Sequence, residues 1–388
     1  VILADFSDKP SKVTPSFFDA LIFSASNSSV RMFYLENSYG QLDVITVNLP
    51  SSLGWKRAPQ TLAYYANNNY GMGGYPKNTQ KLVEDLILIV DPLVNYADYD
   101  NDGNGFVDGI TVVHAGSGAE LTGRTSDIWS HKWGITPKKL DNVFISGYDI
   151  EPEYWIINET TGVIKNNMTI GVFAHEFGHS FGLPDLYDLD GSSRGIGKWS
   201  LMAGGSWNGP LGASPSHLDA WSKIELGVVP SPILTVSGAV SLPNAETSNM
   251  GIYRLLLKDT SPQEYFVVEN RQKIGYDAYL PGSGLLIWHV DDNITSNTKE
   301  WYPGYTANGH FWVALEQADG LWELEKNINY GNAGDSYPGS ANKRLFSSTS
   351  TPNSKNYAGT DTGIIISNIS NNGSTMTANI QLGITPNA

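Results

Sequence analysis

The most informative stretch of the chain reads His175-Glu-Phe-Gly-His179-Ser-Phe-Gly182-Leu-Pro-Asp185. Residues four apart lie on the same face of a helix, so the imidazoles of His175 and His179 can bind one metal ion. At Gly182 a left-handed residue would end the helix and let the chain turn back, which presents Asp185 as a third ligand. Two neutral imidazoles, one carboxylate and an open fourth position are typical of a catalytic zinc site.

Glu176 directly follows the first histidine and lies beside the metal-binding face of the predicted helix. Its carboxylate can reach a zinc-bound water molecule, whose pKa the ion lowers towards about 7. The pattern therefore predicts that Glu176 takes the proton of this nucleophilic water and later delivers it to the leaving amine. The alternative interpretation is a core helix whose two histidines serve only as hydrogen-bonding groups.

A second motif supports the metal site. The segment Trp199-Ser-Leu-Met202-Ala-Gly-Gly-Ser-Trp207 places a methionine in a glycine-rich turn beyond Asp185. Metzincin proteases have a methionine-containing turn beneath their metal ion, which favours a structural Met-turn at Met202. Taken alone, Met202 would be interpreted as an ordinary core methionine.

The composition limits the kinds of site that the chain can build. It has 388 residues and no cysteine, and 39 acidic against 24 basic side chains give a formal net charge of −15. A disulfide framework, a thiolate zinc site, an iron–sulfur cluster and a cysteine nucleophile are therefore excluded. The acidic balance argues against nucleic acid and anionic membrane surfaces as partners, since both attract Lys and Arg. The longest aliphatic run, residues 86–90, is far shorter than the about 20 residues of a membrane-spanning helix.

An acidic segment at residues 98–108 resembles the calcium-binding loop of an EF-hand. Its predicted calcium ligands are Asp98, Asp100, Asp102, Asn104, Phe106 through its carbonyl oxygen, and Asp108. The usual glutamate at the twelfth position is replaced by Thr111, so Asp98 or a distant carboxylate must complete the shell. The alternative is a solvated acidic turn. Because the loop joins a long helix to a strand, we expect calcium to stabilise the protein.

The composition and the hydrophobic pattern of the sequence change near Pro230-Ser-Pro232. Residues 1–228 mix strands and helices, with helices expected at 78–95, at 169–181 and from Ser214-Pro215 to about 226. Residues 229–388 contain short β-branched runs between Gly, Pro, Asn, Asp and Ser clusters, a pattern typical of an all-β sandwich-like module. We therefore expect a catalytic domain at 1–228 and a β-sandwich-like module at 229–388.

Taken together, these motifs resemble the immune inhibitor A-like family of secreted metallopeptidases. Further similar segments are found at residues 3–10, 34–40, 113–120, 128–133, 269–273, 282–291 and 334–339. The resemblance implies an α+β, metzincin-like zincin domain with a twisted mixed sheet and an active-site helix, followed by a β-rich module. It also implies a removable N-terminal pro-segment, secretion, one catalytic zinc ion and bound calcium.

The resemblance assigns the zinc ligands to His175, His179 and Asp185, and the catalytic carboxylate to Glu176. The third ligand differs from the histidine of many zinc proteases. A tyrosine that would assist the transition state does not follow Met202 at the expected offset.

Other polar and aromatic residues carry weaker predictions. His114, Glu120 and His131 lie in family-like segments before the zinc motif, where they either position substrate or form structural hydrogen bonds. Asp188 and Asp190 could bind another cation or form an Asx-turn. The 11 Trp and 20 Tyr could mark a carbohydrate-binding face, although such residues are common in protein cores.

The leading hypothesis is a monomeric, secreted zinc endopeptidase that acts on extracellular proteins and is stabilised by calcium. A second hypothesis is a non-catalytic, metal-bound adhesin or binding protein. A third is a metal-dependent hydrolase of non-peptide amides or esters. The intact Glu176 favours an enzyme, because a catalytically inactive relative tends to lose that carboxylate.

Overall fold

The computed structural model describes residues 1–26, 29–158, 160–230, 232–257 and 263–383. The chain forms two compact units. The first comprises Val1–Phe33 and Asp43–Gly182, and the second comprises Tyr34–Leu42 and Leu183–Ala388. The main boundary between these two units falls after Gly182. The domain boundary that the sequence predicts after residue 228 stays a prediction. Ser231, within the expected boundary motif, lies outside the described residues.

A six-stranded mixed sheet forms the centre of the first unit. Its strands are β1 (Ile2–Asp5), β2 (Trp55–Arg57), β3 (Thr111–Ser117), β4 (His131–Leu140), β5 (Val143–Asn158) and β6 (Val163–Asn167). The order is β2-β1-β3-β5-β4, and β6 pairs with β5. Strands β2, β1, β3 and β5 run parallel, whereas β4 and β6 are antiparallel to β5.

Eight α-helices occur in the part of the chain that the structure describes. They are α1 (Pro15–Phe18), α2 (Val30–Asn37), α3 (Pro50–Leu53), α4 (Leu62–Ala66), α5 (Thr79–Val90), α6 (Ala119–Thr122), α7 (Ile170–Ser180) and α8 (Ala220–Glu225).

Helix α5 shows how the core of the first unit follows from the sequence. The Asn78 side chain caps its N-terminus by accepting from the amide of Lys81 at 3.1 Å. The apolar residues of the helix recur at helical spacing and belong to the hydrophobic core that also contains residues of the sheet. The helix ends at Val90 rather than at residue 95, because Pro92 follows and cannot continue the α-helical hydrogen bonding.

Helix α8 begins later than the sequence predicts. The Ser214-Pro215 pair was expected to start a helix, but α8 begins at Ala220 with Asp219 as its N-cap. The Oδ1 atom of Asp219 accepts from the amide of Ser222 at 3.0 Å. The preceding backbone makes other hydrogen bonds, for example from the amide of Ser216 to the carbonyl of Gly205 at 3.0 Å. These tertiary bonds replace the first helical turn.

Two antiparallel sheets lie in the second unit. Their strands are β7 (Gly238–Pro243), β8 (Tyr253–Leu256), β9 (Glu264–Arg271), β10 (Gly284–Asp291), β11 (Val313–Leu315), β12 (Ile365–Ser367) and β13 (Thr375–Gln381). One sheet has the order β11-β10-β9-β8 and the other β12-β13-β7. A single hydrophobic cluster contains Phe266 and Ile287 of the first sheet together with Leu242 and Met376 of the second. The two sheets therefore share one core.

Within the described residues, no helix combines the length and the apolar character that a membrane span requires.

Candidate active site

The metal-binding motif lies on helix α7, which runs from Ile170 to Ser180 as the sequence predicts within one or two residues. Thr169 precedes it with an extended backbone. The indole Nε1 of Trp155 on β5 donates to Thr169 Oγ1 at 3.0 Å and so fixes the start of the helix. Its early residues are almost all buried, which holds α7 against strands β4 and β5.

The two histidines of the motif face one another. The ring centroids of His175 and His179 are 4.8 Å apart and their planes are nearly perpendicular, at 86°. His175 is buried with 7% of its surface exposed, whereas His179 is half-buried. The spacing of four residues therefore places both imidazoles on one side of the helix, as the sequence predicts.

Gly182 ends the helix as the sequence predicts. Its φ of +92° lies in the left-handed region that favours glycine, and its amide donates to the carbonyl of His179 at 3.0 Å. His175, His179 and Asp185 each offer a ligand atom within 4.8 Å of the other two. Two imidazole nitrogens and one carboxylate oxygen at this separation fit the donor set of a catalytic zinc ion.

Glu176 lies on the same helix, next to His175, and 5% of its surface is exposed. A carboxylate beside the metal-binding histidine is suited to proton transfer. Its assignment as the general base stays a prediction.

Sequence reasoning did not identify a row of carboxylates on β5. Asp149, Glu151 and Glu153 alternate with other residues, so they lie on one face of the strand, and each is almost completely buried. Burial raises the pKa of all three side chains. The nearby charges of Asp149 and Glu176 further raise the pKa of Glu151, which lies well above its usual value. The signal in the sequence was the alternation of acidic residues within a strand.

A hydrogen-bonded chain joins this strand to the end of α7. Lys132 Nζ on β4 donates to Ser180 Oγ at 2.5 Å, and Ser180 Oγ donates to Asp149 Oδ2 at 3.3 Å. These bonds tie the C-terminal end of the helix to two neighbouring strands. They fix the orientation of the helix that carries the histidines.

Met202 lies completely buried in a tight turn. Its amide donates to Ser200 Oγ at 3.2 Å, and the next amide, that of Ala203, donates to the carbonyl of Ser200 at 3.1 Å. The carbonyl of Met202 accepts from the amide of Leu186, the residue after Asp185, at 2.8 Å. The turn thus directly supports the segment that carries the third candidate ligand, and a Met-turn role stays a prediction.

His114, Glu120 and His131 all make hydrogen bonds within the protein. His114 is fully buried on β3, and burial lowers its pKa to about 4. Glu120 accepts from Ser130 Oγ at 2.6 Å.

His131 Nδ1 lies 2.6 Å from the carbonyl of Trp129, so it must carry the proton, and Nε2 then accepts from Thr79 Oγ1 at 2.9 Å. Burial lowers the pKa of His131 to about 4, which keeps this imidazole neutral. The contacts of His114, Glu120 and His131 support the structural alternative, and substrate positioning stays a prediction.

The acidic loop at 98–108 brings together three of its six predicted calcium ligands. Carboxylate oxygens of Asp100, Asp102 and Asp108 lie within 4.8 Å of one another. Asp98 belongs to a preceding turn, where its Oδ1 accepts from Asn95 Nδ2 at 2.8 Å.

The backbone of this loop turns sharply at its sixth position. Gly105, at the sixth position of the loop, has a φ of +86°, and Asn104 Oδ1 accepts from the amide of Phe106 at 2.8 Å. Calcium binding by all six predicted ligands, namely Asp98, Asp100, Asp102, Asn104, the carbonyl of Phe106 and Asp108, stays a prediction.

A further acidic group contains Asp188, Asp190 and Glu300. Asp188 Oδ1 accepts from the amide of Asp190 at 2.9 Å, which is the hydrogen bond of the Asx-turn considered from the sequence. Glu300 is distant in sequence and could not be placed beside them from local patterns.

Comparison with known proteins agrees with this geometry. Residues 12–226 match the family model described as immune inhibitor A peptidase M6, catalytic domain. The match covers more than half of the chain and includes helix α7, Asp185 and Met202. The chain belongs to the immune inhibitor A peptidase M6 family. It therefore carries a metallopeptidase domain with a catalytic metal site.

Two curated relatives of this M6 chain bear names that agree with the family. The Pre-pro-metalloprotease PrtV of Vibrio cholerae is 29% identical over 252 residues, which are 54% of this chain and 26% of the relative. Immune inhibitor A of Bacillus thuringiensis subsp. alesti is 33% identical over 171 residues, which are 38% of this chain and 24% of the relative. The match spans only about a quarter of the length of these relatives.

Proposed function

We propose that this M6 chain is a secreted, zinc-dependent endopeptidase that hydrolyses peptide bonds of extracellular proteins. The observation that carries the proposal is the convergence of ligand atoms from His175, His179 and Asp185 within 4.8 Å, on a chain of a peptidase family. The name Pre-pro-metalloprotease, borne by one relative, supports secretion with a removable pro-segment.

His175, His179 and Asp185 would hold the ion. When bound, zinc supplies a Lewis acid that acidifies a water molecule and polarises the scissile carbonyl. Glu176 accepts the proton of the attacking water and transfers it to the nitrogen of the leaving amine. The hydrogen bonds among Lys132, Ser180 and Asp149 hold α7 in place during these steps.

The helix–glycine–turn geometry around Gly182 and the buried turn at Met202 support a metzincin-like arrangement. The two sheets with a shared core support a sandwich-like module in residues 229–388. We further propose that the protein acts as a monomer on protein or peptide substrates.

Calcium in the loop at 98–108 is proposed to stabilise the protein. Asp100, Asp102 and Asp108 bring three carboxylates together, which repel one another in the absence of a cation. A chain without disulfides gains an alternative constraint from such an ion.

Cleavage of casein tests the enzymatic proposal. With calcium kept in excess, removal of zinc with 1,10-phenanthroline should abolish cleavage, and added zinc should restore it. Cleavage that continues at full rate after the zinc has been removed, verified by metal analysis, would contradict the proposal.

The competing hypotheses give different results in the same assay. A non-catalytic binding protein would retain zinc but cleave neither casein nor a peptide library. A hydrolase of other amides or esters would cleave ester substrates in a zinc-dependent manner and leave peptides intact.

A further inference from the structure

The second unit contains a recess of about 80 Å³ with aromatic and polar walls. We call it the aromatic recess and define it by Trp301, Glu316, Trp322, Asn353, Asn356 and Tyr357. The peptidase mechanism proposed above uses none of these residues.

Tyr357 is held rigidly in the wall of the aromatic recess. Its ring stacks between the imidazoles of His289 and His310, with centroid distances of 4.0 and 3.7 Å. Both ring faces are therefore covered, and Tyr357 offers a ligand only its edge. Trp301 meets it in an edge-to-face contact at 5.8 Å and 72°.

Trp322 has a backbone conformation that is unusual for a large side chain. Its φ is +52°, in the left-handed region that bulky residues rarely adopt. The buried side chain of Gln317 holds this turn, because its Oε1 accepts from the amide of Glu323 at 2.7 Å. Strained residues that the surrounding structure over-determines are concentrated at binding and catalytic sites. Trp322 and Trp301 are both half-buried.

The polar groups of the recess are oriented by their hydrogen bonds. Glu316 Oε1 bonds to His289 Nδ1 at 3.0 Å, so Oε2 remains as an acceptor. Asn353 Oδ1 accepts from the amide of Lys355 at 3.1 Å, and Asn356 Oδ1 accepts from the amide of Thr360 at 2.7 Å. The Nδ2 groups of both asparagines are thus left as donors.

We propose that the aromatic recess binds an oligosaccharide. A sugar ring has an apolar C–H face that packs on an indole, and equatorial hydroxyl groups that both donate and accept hydrogen bonds. Trp301 and Trp322 supply the indoles, Glu316 an acceptor and the two asparagines donors. An ionic ligand of either sign is disfavoured, because the Glu316 carboxylate and the exposed Lys355 ammonium both line the recess.

This inference does not depend on the proposed peptidase activity. A saccharide site in the second unit would attach the protein to glycan-bearing material.

Tryptophan fluorescence titration and calorimetry of the whole chain test the proposal. The probes are cellotriose, maltotriose, mannotriose and N-acetylchitotriose, with tetramethylammonium as an ionic competitor. We expect at least one trisaccharide to bind and tetramethylammonium not to displace it. Trp301→Ala and Trp322→Gly should each weaken binding about tenfold or more, which corresponds to the loss of one ring face. Glycine suits the positive φ at residue 322, so that variant removes the indole without adding backbone strain.

Tyr279→Ala provides the matched control, since it removes an exposed aromatic side chain of the second unit outside the recess. The Tyr279→Ala variant should bind the trisaccharide with the same affinity as the original chain. The Asn356→Ala variant provides a second probe with a smaller change in volume, and it should also weaken binding. The proposal is overturned if no trisaccharide binds the original chain, if tetramethylammonium displaces the sugar, or if folded recess variants bind as tightly as the control.

Discussion

Individual carboxyl groups of this protein differ sharply in their surroundings. Asp149 and Glu151 are buried on β5, and burial raises the pKa of both, whereas Asp102 and Asp108 are exposed in the acidic loop. Burial disfavours the charged form of a carboxyl group, because a charge is stabilised less away from water. The same residue type therefore serves as a hydrogen-bonding group beneath α7 and as a candidate cation ligand in the loop.

Replacing Asp185 with asparagine should weaken zinc binding. The neutral amide is a poorer ligand than the carboxylate, and losing a direct ligand should exceed the about 10- to 100-fold effect of losing an outer-shell partner. The measurement is zinc affinity by competition with a chromophoric chelator. Asp190→Asn, in the same segment but outside the zinc group, should retain the original affinity. Unchanged affinity in Asp185→Asn would remove Asp185 from the ligand set.

Glu325 in the second unit should make stability depend on pH. Burial raises its pKa to about 8, compared with 4.5 when unfolded. Between these values the folded state binds more protons than the unfolded state, so stability falls as pH rises, by about 1.4 kcal/mol for each unit of pKa difference. Glu325→Gln does not titrate, and its amide oxygen can still accept the hydrogen bond from Gln317 Nε2.

The gain in Tm of Glu325→Gln over the original chain should therefore grow between pH 5 and pH 8. A difference in Tm that stays constant across this range would contradict the assignment.

At the scale of elements, the local parts of the site follow from the sequence. The histidine spacing, Gly182 and the start and end of α7 depend on neighbouring residues and were predicted. The acidic face of β5 was not predicted. The burial of alternate residues in a strand depends on the helix that packs against the strand, and this packing is not local in sequence. The start of α8 also differs, since tertiary hydrogen bonds of residues 214–219 replaced the helical turn that Ser214-Pro215 favours.

The acidic loop at 98–108 should couple calcium to stability. Calcium binding to the folded state alone raises Tm, by several degrees for a stabilisation of about 1–3 kcal/mol. Asp102→Asn and Asp108→Asn should lose most of this rise, measured by thermal unfolding with and without calcium. Asp91→Asn, which lies at the end of α5 and outside the acidic group, should keep the calcium-dependent rise in Tm. A rise of the same size in all variants would place the responsible calcium elsewhere.

At the scale of the whole molecule, the sequence is less informative. Residues Tyr34–Leu42 belong to the second unit although the surrounding chain belongs to the first, and no local pattern indicates this. The aromatic recess assembles Trp301, Trp322 and Tyr357 from separate loops. In contrast, the absence of cysteine restricts the candidate metal ligands to His, carboxylate and backbone oxygen atoms, and the structure brings His175, His179 and Asp185 together.

The central claim is that Glu176 performs proton transfer beside a metal held by His175, His179 and Asp185. The most direct measurement is the hydrolysis rate of a fluorogenic peptide library by Glu176→Gln, with zinc content determined on the same sample. The variant should hold as much zinc as the original chain and lose at least about 10²- to 10⁴-fold in rate. Peptide hydrolysis at the original rate by zinc-loaded Glu176→Gln would contradict the account.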